Sequence, residues 1–148
     1  MSLLDTLPTP CLVLDLPTLK RNIARMATAI AKHPGVTLRP HMKTAKNVQV
    51  AALAAPGGGA ITVSTLAEAK CFVAHGDRDQ IYAVGIVPAK FATVAALNMQ
   101  GASVKIITDD LDVARAIAAF PGTLPTLIEV DVGEGRAGVA PGDPRLIE

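Results

Sequence analysis

The chain has 148 residues, 50% of them hydrophobic, 18% charged and 3% aromatic, and 14 Lys+Arg against 13 Asp+Glu leave a net charge of +1. That length suits one domain, the apolar share excludes a disordered polymer, and the near-zero charge offers no global attraction to nucleic acid or anionic lipid. No apolar run reaches the roughly 18 residues that span a bilayer, and the opening Met-Ser-Leu-Leu-Asp-Thr lacks the basic-then-apolar order of a secretory leader, so a cytoplasmic protein is expected. Cys11 and Cys71 are too few for a disulfide scaffold; each is expected as a small buried apolar residue in a reducing compartment.

In chain order, short β-branched runs alternate with Ala-rich ones. Cys11-Leu-Val-Leu-Asp15 reads as a strand. Residues 17–32 read as a helix, with Leu19, Ile23, Met26 and Ile30 at three- and four-residue steps and Lys20, Arg21 and Arg25 opposite. Pro17 fits its first turn and Asp15 its cap. Val36–Arg39 is a second strand, 47–55 a short helix and Pro56-Gly-Gly-Gly59 a turn. Ala60–Val63 is a third strand. Residues 65–75 form a helix in which Thr65 and Glu68 have capping-box spacing and Gly76 is the stop. Gln80–Val84 is a strand, followed by a helix over 88–100 opened by Pro88 and ended by Gly101. Val104–Thr108 is the next strand. Asp109 or Asp110 caps a helix over 111–120, Pro121-Gly122 stops it, and Thr126–Asp131 is the last strand.

These strands are continuous apolar runs with little alternation, as a parallel sheet covered on both faces requires. Their centres recur every 20–25 residues or so, the size of a βα crossover unit. The fold class is therefore α/β, either a doubly wound open sheet or a (β/α)8 TIM barrel, and pattern alone does not separate them. Either architecture places chemistry at the carboxyl ends of the strands.

Two strand ends stand out. Arg39-Pro-His-Met-Lys-Thr-Ala-Lys46 packs Arg39, His41, Lys43 and Lys46 behind an apolar strand. Burial and neighbouring cations disfavour an ammonium ion, and a lysine so placed becomes available as a nucleophile or base. The alternatives are a solvated basic loop or an anion site. Gly133-Glu-Gly-Arg-Ala-Gly138 has G-x-G-x-x-G spacing, but a dinucleotide site needs a helix opening on the glycines, and Pro141 and Pro144 follow at once. A glycine-lined strand end that lets Arg136 reach a ligand anion suits it better. Asp131 fits a loop-capping carboxylate. His33 and His75 fit surface positions near helix ends, and the histidines and cysteines have no metal-ligand spacing.

Thr9-Pro-Cys-Leu-Val-Leu-Asp15 with the Leu-x-x-Asn-Ile helix start, and then Leu38-Arg-Pro-His-Met-Lys-Thr-Ala-Lys46, resemble the D-threonine aldolase / D-serine dehydratase family. So do Thr62-Val-Ser-Thr-Leu-Ala-Glu-Ala69 with Tyr82-Ala-Val-Gly-Ile86, and Ile128-Glu-Val-Asp-Val-Gly-Glu-Gly-Arg-Ala-Gly-Val139. Ala45 departs from the pattern, since many relatives have His there. That family belongs to the alanine-racemase-like, fold-type III pyridoxal-phosphate (PLP) enzymes, with an N-terminal (β/α)8 barrel and a C-terminal β domain. The resemblance implies that Lys43 holds the cofactor as a Schiff base, that Arg136 hydrogen-bonds its phenolate oxygen and that His41 sits beside it.

It also implies a lyase for D-β-hydroxy amino acids, of the D-threonine aldolase or the D-serine dehydratase type. The alternatives are a racemase of the same fold, a non-enzymatic PLP-binding protein or an inactive truncated fragment. Counting from Val36–Arg39, five of about eight barrel strands are expected, so residues 1–148 are expected to be the N-terminal portion of the barrel domain without the C-terminal β domain, and inactive alone. The phosphate cup, the pyridine-nitrogen partner and the ligands of a divalent metal would lie further along the family's chain. A full-length homodimer is the expected assembly.

Overall fold

The computed structural model describes residues 3–147; Met1 and Ser2, part of the stretch read above for a leader, lie outside it. Two compact units divide the chain, residues 1–36 and 37–148. In the first, a short 3-10 turn (Leu3–Thr6) precedes helix α1, Leu16–Ile30. Asp15 caps α1 as expected: one carboxylate oxygen accepts the Thr18 amide at 2.9 Å and the other the Thr18 hydroxyl at 2.8 Å. The segment 11–15 forms no strand, contrary to expectation. Its last residue is committed to that cap.

The second unit runs α2 (Val48–Ala54), β1 (Ile61–Val63), α3 (Leu66–Ala74), β2 (Asp79–Gly85), a 3-10 turn (Pro88–Lys90) leading into α4 (Phe91–Met99), β3 (Ser103–Thr108), α5 (Leu111–Ala119) and β4 (Thr126–Ile128). The sheet has the order β1-β2-β3-β4, with every neighbouring pair parallel. It is an open sheet of TIM-barrel type, as an incomplete barrel requires. Pattern fails at the expected first barrel strand. Val36–Arg39 forms no ladder; a single bridge joins His41 to Thr62, flanked by Thr62 N–H to Pro40 O and Met42 N–H to Thr62 O, both 2.9 Å. Pro40 has no N–H to extend the pairing. β4 also ends sooner than expected, because Val130 leaves it to bridge Val139.

Register puts the two faces of the sheet in sharp contrast. Ile61, Gln80 and Val104 align across neighbouring strands, as do Val63, Tyr82 and Ile106, and all six are buried. Their cover includes Ala69, Phe72 and Val73 of α3 and Phe91, Val94 and Leu97 of α4. Gln80 is tolerated there because its amide donates to the Ala69 and Asp77 carbonyls. On the opposite face, Asp79 at the start of β2 takes a two-pronged pair from Arg39 (3.0 and 2.7 Å) and a third bond from Lys105 at 2.8 Å. The Arg39 hydrogen bond, opposed by burial and aided by Lys105, holds the Asp79 carboxyl below its usual value. Arg39 is thus engaged at the amino ends of the strands rather than crowding Lys43, a correction to the cationic cluster expected above.

The cysteine expectation is also overturned: Cys11 and Cys71 are both exposed. On α3 the inward positions are Ala69, Phe72 and Val73, which turns Cys71 outward. Among the described residues no helix is long and apolar enough to cross a membrane.

Candidate active site

A cleft of about 400 Å³ opens at the carboxyl ends of the strands, inside the second unit. Lys43, His41 and Arg136, the three residues singled out from sequence, all line it, together with Ala83–Gly85 at the end of β2 and Glu129, Asp131 and Glu134. The β2–β3 register shifts between Tyr82 and Gly85. Such an irregularity turns backbone toward a site rather than along a ladder.

Lys43 stands in a tight turn. Met42 is 3% exposed and anchored on Thr62, and the Lys46 amide closes the turn on the Met42 carbonyl at 2.8 Å. Lys46 has φ 46°, the left-handed region that side chains other than glycine rarely adopt, and Asn47 then caps α2 with bonds to the Gln49 and Val50 amides. Lys43 itself is exposed, not buried as its strand-end position suggested. The Lys43 amide donates to His41 Nδ1 at 3.2 Å, and His41 Nε2 faces the Ser64 hydroxyl at 3.4 Å. An Nδ1 that accepts carries no proton, so this hydrogen bond selects neutral imidazole protonated on Nε2. Burial, and then the Lys43 charge, push the His41 pKa below its ordinary 6.5, against the pull of Glu68.

Arg136 stands on a second loop, built differently. Asp131 Oδ1 accepts the Gly133 amide at 2.9 Å and the Gly135 amide at 3.1 Å, the loop-capping role expected of it. The Gly133 bond, then the Gly135 bond, hold its carboxyl below the usual 3.8. The Gly138 amide donates to Asp109 Oδ2 at 2.8 Å, which ties the loop to the end of β3. No helix opens on these glycines; the chain returns to pair Val139 with Val130. The G-x-G-x-x-G spacing therefore encodes a loop, not a dinucleotide turn.

Three contributors escaped the sequence reading. Glu68 was read as a capping-box partner of Thr65, and its amide does donate to Thr65 Oγ1 at 3.0 Å. Its carboxylate, however, accepts the Ser64 amide at 2.8 Å and faces Lys46 Nζ at 3.4 Å. Asp109 was paired with Asp110 as alternative caps of α5; Asp110 takes the cap and Asp109 reaches Gly138. Ser64 carried no signal beyond following a strand. His33 and His75 are exposed. Among the described residues no group of three or more His, Cys, Asp or Glu could hold a metal ion.

The family model for the alanine racemase N-terminal domain matches residues 14–147. D-threo-3-hydroxyaspartate dehydratase of Delftia sp. (strain HT23) is 43% identical over 147 residues, covering 96% of this chain and 38% of that protein. The 3-hydroxy-D-aspartate aldolase of Paracoccus denitrificans is 36% identical over 138 residues, covering 88% of this chain and 35% of its own length. Among solved structures, an alanine-racemase-like protein from Idiomarina loihiensis superposes with a TM-score of 0.90 at 36% identity, over 97% of this chain and 39% of that one. The chain thus spans well under half the length of each of these relatives.

Proposed function

The chain belongs to the alanine racemase N-terminal domain family, and from that premise we propose that it supplies the lysine side of a pyridoxal-phosphate site in a lyase for β-hydroxy-D-amino acids. The observation that carries this reading is convergence: Lys43, His41 and Arg136 come from opposite edges of the sheet and line one cleft. The donor set suits the cofactor. There is an exposed primary amine to bond an aldehyde, a guanidinium to bind an oxyanion, and a neutral imidazole between amine and strand. A cleft of about 400 Å³ lies within the usual range for small-molecule sites. The cofactor, when bound, supplies an electron sink for charge developing at the substrate's α-carbon.

The residues divide the remaining work. Lys43 would hold the cofactor through its amine and would be the amine at hand to move a proton at the α-carbon. Arg136 would bind the cofactor's phenolate oxygen through its guanidinium and favour the ionised form. His41, neutral, accepts the Lys43 amide and fixes the turn. The two curated relatives above are named for one substrate type and for different bond cleavages. Common to them is a D-amino acid with a hydroxyl on the carbon next to Cα, and that is the class proposed here. The turnover proposed is that of the whole protein, as a homodimer in the cytoplasm, with residues 1–148 inactive by themselves.

The test is a substrate panel on the whole protein. Erythro and threo 3-hydroxy-D-aspartate, D-threonine and D-serine should be consumed and their L-enantiomers left. A keto acid with ammonia would identify dehydration, and glycine would identify aldol cleavage. Interconversion of D- and L-serine without either product would replace the lyase reading by a racemase.

A further inference from the structure

We propose that Glu68 is the positioning residue for Lys43: its buried carboxylate holds Lys46 and the Ser64 amide together and so fixes the turn from which Lys43 enters the cleft. This rests on reading Lys43 as the cofactor lysine. Glu68 is 8% exposed, and both its oxygens are engaged, Oε2 by the Ser64 amide at 2.8 Å and Oε1 by Lys46 Nζ at 3.4 Å. Lys46 and Ser64 bracket the lysine turn. Lys46 closes it onto Met42, and Ser64 faces His41, the acceptor of the Lys43 amide.

The backbone at Lys46 sharpens the point. Its φ of 46° favours glycine or asparagine, and a lysine there needs a reason. The Glu68 pair supplies one: the side chain whose Cβ strains the backbone also carries the charge that ties the turn to α3. Burial alone would raise the Glu68 carboxyl, yet the Ser64 amide and Lys46 outweigh it and leave the group below its usual value, ionised at neutral pH. Its charge also reaches His41, which faces Lys43 on its own turn and lines the cleft with Glu129, Asp131, Glu134 and Arg136.

The test compares wild type, Glu68→Gln and Lys46→Met in three measurements. Glutamine keeps an acceptor for the Ser64 amide and loses the charge that holds Lys46. Methionine leaves that amide bond intact at a side chain that is 62% exposed, so its fold is not at stake. After pyridoxal phosphate and borohydride, the share of label on Lys43 should fall about fivefold in both variants, with new label on the released Lys46 in Glu68→Gln. The His41 ring titration, followed by NMR without cofactor, should move to lower pH in Glu68→Gln, where the attracting charge is gone. Label distribution as in wild type in both variants overturns the proposal, because loss of the Glu68 charge by itself moves only the His41 titration. Wild-type label away from Lys43 would instead sink the cofactor assignment, and amide-exchange protection of Lys43 and Lys46, lost in both variants only if the ion pair holds the turn, would still decide the role of Glu68. Should Glu68→Gln fail to fold, Lys46→Met decides: unchanged labelling at Lys43 refutes positioning through the ion pair.

Discussion

The two loops that face each other across the cleft are held by different physics. The lysine turn, residues 41–46, is pinned by side chains: Met42 in the core, His41 on the Lys43 amide, Lys46 on Glu68. The arginine loop, residues 131–138, is pinned by its backbone: amides of Gly133, Gly135 and Gly138 on two aspartates, with those three glycines at positive φ. One arrangement answers to charge and protonation, the other to steric fit. A site that needs one adjustable amine and one fixed cation gains from having both.

The largest way to break this contrast is Gly138→Ala. A Cβ there would sit 2.5 Å from the Asp131 nitrogen and 2.6 Å from the Val130 carbonyl carbon, at a φ of +98°. Backbone on both sides leaves nothing soft to yield, so a loss of about 2–4 kcal/mol is expected in a denaturant titration at constant slope. Arg136 would be displaced with the loop. Gly135→Ala is the control within the same loop. Its φ is +62° but nothing lies within 4 Å, so only the left-handed backbone cost applies, about 1–2 kcal/mol.

Acid should separate the loops in the opposite sense. The folded-state pKa of His41 is lowered, so its contribution is complete above the ordinary 6.5 and is lost as pH falls through the depressed value. That of Asp131 is lowered too, so its contribution is complete above the ordinary 3.8 and is lost only below that value. Amide exchange or chemical shifts should therefore show the lysine turn loosening in mildly acidic solution while Gly133 and Gly135 remain protected to far lower pH. Simultaneous loosening would erase the distinction. The smallest effect is expected for Lys46→Gly, which relieves the left-handed strain and removes the pair between an exposed ammonium and the buried Glu68 carboxylate. The two roughly cancel, within about 0.5 kcal/mol in the same titration.

What could be read from sequence follows the same divide. Local rules sufficed where local forces dominate. Asp15 and Thr65 stand where their caps form, and Gly76 and Gly101 end their helices at positive φ. The apolar runs expected as strands at 60–63, 80–84 and 104–108 fall on Ile61–Val63, Asp79–Gly85 and Ser103–Thr108. Contacts across the fold were not legible. The expected strand at 36–39 had the right apolar content, but Pro40 and the lack of a ladder partner left one bridge. Arg39 looked like a neighbour of Lys43 until Asp79 drew it to the other end of the strands. Glu68 and Asp109 each carry a local cue, a cap, and their longer reach depends on segments brought near only by the sheet. The basic segment 39–46 and the glycine loop around Arg136 stood out as polar stretches behind apolar runs, but it was the family resemblance that narrowed them to Lys43, His41 and Arg136, which line one cleft.

The account turns on the amine of Lys43. Incubation with pyridoxal phosphate, borohydride reduction and peptide mapping should place the label on Lys43 and lose it in Lys43→Ala. Label carried chiefly by another lysine, or undiminished in Lys43→Ala, would contradict it.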